Sequence, residues 1–126
     1  MGDQFNLSGD FRGAILNIKS TLTNVQQSVS KMQTDDVKTR QELEQLIAQL
    51  SVVLQRVPED RQEQAEAAAD TAKILVEAAT ADKPKKTLIQ ITGEGLKQAA
   101  QNLADVLPDI LTIAAKITAS AIKLGG

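Results

Sequence analysis

The sequence has 126 residues, 42% of them hydrophobic and 24% charged, with a net charge of −2. That is one domain with enough apolar content for a core, and it excludes a wholly disordered chain. Cysteine and histidine are both absent, which excludes disulfides, thiolate zinc sites and the imidazole chemistry suited to acid–base work near neutral pH.

Residues 2–23 read differently from the rest. Gly2-Asp3 recurs as Gly9-Asp10, Phe5 and Leu7 alternate before the second pair, and Ala14, Leu16 and Ile18 alternate with Ile15, Asn17 and Lys19. Alternation between Gly-Asp punctuation predicts a hairpin or two short strands, over about 4–7 and 12–19. A competing helix from about Asp10 onward reads Ile15, Ile18, Leu22, Val25, Val29 and Met32 at helical spacing. The strand reading is preferred there, with a helix or irregular segment over 21–32. The first residues lack the basic and apolar regions of a signal peptide, so a cytoplasmic protein is expected.

Gln33-Thr34-Asp35-Asp36 is a polar break suited to capping a helix. The next helix, about 36–56, carries Leu43, Leu46, Ile47, Leu50, Val53, Leu54 and Val57 at three- and four-residue steps. Pro58 stops it and suits the start of another. The helix of Glu59 to Thr80 has acidic first turns and an inner stripe of Ala65, Ala68, Ala69, Ala72, Leu75, Val76 and Ala79. The short link at Val57-Pro58 predicts that these two helices form an antiparallel hairpin.

Ala81-Asp82-Lys83-Pro84-Lys85-Lys86 is the second break. A third helix, about Thr87 to Val106, draws its apolar side from Leu88, Ile91, Leu96, Ala99, Ala100, Leu103 and Val106. Gly93 and Gly95 inside it mark a kink, a close crossing or a late helix start. Pro108 opens the last helix, about 108–124, which Gly125 and Gly126 end. Asp109, Thr112, Lys116, Ser120 and Lys123 make one thin polar stripe on it, and nearly everything else is apolar. So wide an apolar arc must be covered on several sides. The predicted fold is mainly α: a three- to four-helix bundle with a short N-terminal β element. Residues 1–23 form the Gly-Asp segment and 24–126 the bundle, within a single domain. Its core is expected to contain Leu43, Leu46, Ile47, Leu50, Leu54, Ala72, Leu75, Leu96, Leu103, Ile110, Ile113 and Ile117.

No catalytic, cofactor or metal constellation stands out. Lys83, Lys85 and Lys86 read as a solvated turn rather than an anion contact. Asp35, Asp36, Glu59 and Asp60 read as helix caps, since their spacing matches no calcium loop. Gly93-x-Gly95 is too short for a nucleotide fingerprint, and no motif marks a serine nucleophile. With Phe5 and Phe11 the only aromatics and no long basic face, nucleic acid is not an expected partner.

Two segments, Gly2-Asp3-Gln4-Phe5-Asn6-Leu7-Ser8-Gly9-Asp10-Phe11 continuing to Leu22, and Lys83-Pro84-Lys85-Lys86-Thr87-Leu88 continuing through Ile91-Thr92-Gly93-Glu94-Gly95-Leu96 to Ala100, carry a resemblance. The chain resembles a small bacterial, often cyanobacterial, module found alone or attached to signalling and immune-type effectors such as TIR, caspase-like or NTPase domains. The resemblance implies a non-enzymatic adaptor or assembly module and no residue-level chemistry.

The expected function is therefore protein–protein interaction and self-assembly, as a homo-oligomer with a possible effector partner. The expected contact residues are Phe5, Leu7, Phe11, Leu16, Ile18, Leu107, Leu111 and Ile122, at the two ends of the chain. The alternative is a membrane-acting protein that inserts 106–124. Asp109, Lys116 and Lys123 weigh against it, at about 2.5–3.5 kcal/mol each near a bilayer centre.

Overall fold

Apolar side chains three and four residues apart dominate the chain and form helices, except that the third expected helix, read to Val106, ends at Gln101 and leaves Leu103 and Val106 in turns. The computed structural model describes the backbone of Gly2–Gly125 and the side chains of Phe11–Gly125. In order come α1 (Gly2–Lys31), α2 (Val37–Leu54), a single 3-10 turn (Glu59–Arg61), α3 (Gln62–Thr80), α4 (Lys86–Gln101) and α5 (Ile110–Gly125).

The described residues contain no strand, so the expected N-terminal β element is replaced by helix. The reason is visible in α1. Ala14, Ile18, Leu22, Val25 and Val29 are all buried at three- and four-residue steps, whereas Leu16, which the strand reading paired with Ala14 and Ile18, is 62% exposed. Burying one stripe against neighbouring helices outweighs the glycines, which cost about 1 kcal/mol each in a helix interior. The helix passes unbroken through residue 23, where the sequence placed the end of the Gly-Asp segment.

The helices close in the order α1, α2, α5, α4, α3 and back to α1, with α3 also touching α5 across the middle. The expected α2–α3 hairpin does not form a packed pair. These helices barely meet, and each instead packs on α1 and α5. The whole expected core is buried, joined by the α1 stripe and by Val57, Ile89 and Leu107. On α4 it is Ile89 that fills the core, while Ile91, expected inside, is 62% exposed. The row Ile89, Thr92, Gly93, Leu96, Ala100 leaves Ile91 on the far side of the helix.

Glycine sets how closely α4 lies. A Cβ on Gly93 would stand 2.7 Å from the Thr118 methyl of α5, and one on Gly95 would stand 3.3 Å from the Thr71 methyl of α3. These are close crossings within one continuous helix. Gly125, expected only as a stop, is also a packing position. It is buried, and a Cβ there would meet Ile89 at 2.5 Å and the Ala79 backbone at 3.2 Å.

The same substitution should therefore have opposite signs at two sites. Gly13 has open space around it and no left-handed backbone, so Gly13→Ala should raise stability by about 0.5–1 kcal/mol. Gly93→Ala should lower it, because overpacking costs about 1–3 kcal/mol. The Thr118 hydroxyl is tied to the Ala114 carbonyl at 2.9 Å, so its methyl yields only at a cost. Thr118→Ser, which removes the methyl and keeps the hydroxyl, should relieve Gly93→Ala in a double-mutant cycle read by urea denaturation. Leu50→Asp places a carboxylate at a fully buried position and should abolish the cooperative thermal transition.

Candidate interaction site

A groove lies between α2 and α5, and local chemistry fixes both of its walls. At the start of α2, Asp36 accepts the Thr39 amide N–H at 3.1 Å and the Thr39 hydroxyl at 2.7 Å. Arg40 donates to the Met32 carbonyl at 3.3 Å and ties the α1–α2 turn to the helix. Before α5, Arg61 donates to both carboxylate oxygens of Asp105, at 2.9 and 2.6 Å, and to the Asn102 carbonyl at 2.9 Å. That fork holds the α4–α5 link against the start of α3, while Leu103 and Leu107 of the link are buried beneath it.

The groove has two hollows that share Gln49 and Lys116. The first is lined by Ala48, Val52, Val53 and Ile113, with Arg56 on the α2 wall and Asp109 on the α5 wall. The second is lined by Leu46, Ala119 and Ser120, with Glu42 on the α2 wall and Lys123 on the α5 wall. The two helices are therefore antiparallel, and each end of the groove carries one charge of each sign. The floor is mainly apolar. Val52 on the rim is 52% exposed.

The residues expected to make contacts divide into three groups. Leu16, Leu111 and Ile122 lie at the surface, at 62%, 38% and 49% exposure. Ile18 and Leu107 are buried in the chain's own core, and Phe11 is half-buried against it. The side chains of Phe5 and Leu7 lie outside the described residues. Leu111 and Ile122 share an outer face of α5, and Ile122 with Lys86, Ile89 and Gln90 lines a smaller hollow beside α4. Sequence reasoning missed Val52 and the charged walls of the α2–α5 groove. Val52 adjoins a buried stripe and carries no chemistry of its own to mark it.

Among the described residues no cluster of acidic side chains is disposed to hold a metal. No described helix is long and apolar enough to cross a membrane, so inserting the last helix gains no support. The helix proper starts only at Ile110, and most of its apolar arc, Leu111 and Ile122 aside, is spent on α2, α3 and α4. Comparison with family models, curated proteins and solved structures finds no match to this chain.

The two carboxylates that fix the start of α2 and the α4–α5 link, Asp36 and Asp105, are acid-sensitive. The Thr39 hydroxyl, and after it the Thr39 amide, hold Asp36 below the usual carboxylate range. The hydrogen bond from Arg61 does the same for Asp105. A group whose folded pKa is depressed stabilises the fold above its unfolded pKa, and loses that contribution as pH falls through the folded value. Melting temperature should therefore fall below about pH 4, the unfolded carboxylate range. Asp36→Asn and Asp105→Asn should each flatten that acid limb in circular-dichroism melts. Asn caps a helix about as well as Asp, so Asp36→Asn should change the neutral-pH melt little.

Proposed function

We propose that this protein is a non-enzymatic interaction module that assembles with copies of itself, in the bacterial cytoplasm and in a signalling or defence setting. The observation that carries the reading is the α2–α5 groove. It is long, apolar-floored and open along its length, and among the described residues none of the charges on its walls has an ion-pair partner at bonding distance, the one such pair being Arg61 and Asp105. Contiguous apolar surface rimmed by polar groups marks contact sites. Exposed Leu111 and Ile122 add apolar surface elsewhere on α5, with Ile122 in the hollow beside α4. The resemblance to a bacterial effector-linked module supports the setting and suggests an effector domain as a further partner.

The test is the mass of the purified chain in solution, by light scattering from about 5 to 200 μM, a range spanning weak specific association. A mass that rises with concentration toward a multiple of 13.5 kDa is the expected result. A monomer at every concentration would overturn self-assembly.

A further inference from the structure

We infer that the α2–α5 groove face docks onto the same face of a second copy, about a two-fold axis running parallel to the two helices. The inference rests on the self-assembly reading and adds the surface and its geometry.

The argument is charge pattern. Glu42 and Lys123 stand on opposite walls at one end of the groove. Arg56 and Asp109 stand on opposite walls at the other end. Among the described residues none of the four is in an ion pair, and all four are exposed. A two-fold axis along the groove exchanges the walls and keeps the level. It lays α2 of one copy over α5 of the other. Glu42 then faces Lys123 of the partner subunit, and Arg56 faces Asp109 of the partner subunit. Each contact occurs twice, as an isologous interface requires. Lys116, at the middle, faces the neutral Gln49 of the partner subunit.

The other two-fold axis in this plane, across the helices, also opposes unlike charges at the ends. It stacks Lys116 on Lys116 of the partner subunit at the centre, where like charges are most costly to desolvate. The axis parallel to the helices is therefore favoured.

The size of the face sets the strength. With 18 residues, α2 is about 27 Å long at 1.5 Å per residue. Two helices about 10 Å apart present a strip of about 500 Å² per copy. The total of about 1,000 Å² is at the lower limit of specific interfaces. The dimer should be weak, with a micromolar dissociation constant, and should loosen with salt because its charges lie on the rim.

Charge reversal tests both the surface and the axis. By sedimentation equilibrium at about 200 μM, well above a micromolar dissociation constant, the wild type should be dimeric, and Glu42→Lys and Lys123→Glu should each be monomeric. Mixing the two variants should restore a dimer. In that heterodimer, Lys at position 42 of one chain meets Glu at position 123 of the other, and the second contact keeps its natural Lys123 and Glu42. The crosswise axis gives no such rescue, since it would set Lys at 42 against Arg56 and Glu at 123 against Asp109. Restoration also shows that both variants are folded. An oligomer that survives both reversals would leave self-assembly standing and overturn this interface. A mixture that stays monomeric would overturn the axis, and a monomeric wild type would overturn both readings.

Discussion

Burial of α5 is the constraint on which the remainder of the structure depends. Ile110, Ile113, Ala114, Ile117 and Ala121 are at or near complete burial. The three isoleucines contribute about 1.5–3 kcal/mol each by leaving water. No single neighbour could cover such an arc, and α2, α3 and α4 share the task. That demand pulls α2 and α3 apart although they are consecutive in the chain. It also explains the small residues. The Ala-rich face of α3, and Gly93 and Gly125, let backbones come near enough to enclose α5 without aromatic filler.

What α5 does not bury defines the surface. Thr112, Lys116, Ala119 and Lys123 remain outside and form one wall of the groove. The opposite wall belongs to α2, whose own buried row is turned toward α1 and the core. The groove is thus a by-product of two helices that each satisfy the core with one face. Glu42 in the second turn of α2 and Lys123 in the last turn of α5 mark one end, Arg56 just after α2 and Asp109 just before α5 mark the other, and Lys116 lies between them.

The bundle was legible where one signal dominated. Leu43, Leu46, Ile47, Leu50 and Leu54 repeat cleanly, Pro58 punctuates them, and the alanines of α3 admit only one inner face. The N-terminal reading failed because Ala14, Leu16 and Ile18 satisfy an alternating pattern while Ala14, Ile18 and Leu22 satisfy a helical one. Only the presence of α2 and α3 against α1 decides between them. The same limit applied to contact residues. Ile18 and Leu107 look like spare apolar side chains until the helices that cover them are in place. Glu42 and Lys123 are far apart in sequence, and nothing local says that they stand level across a groove.

The connectivity has a consequence for how the chain is made. The α1–α2 pair and the α3–α4 pair are each local hairpins, able to form as soon as their residues are available. The helix that joins them is encoded last of those described. While the chain is being synthesised, the core faces of α2, α3 and α4 await α5, and the nascent domain exposes the surface that later becomes its interior. Such intermediates stick to one another. Ribosome-associated chaperones, which hold exposed apolar surface, would meet this protein during the interval before Ile110 to Ala121 emerge from the exit tunnel.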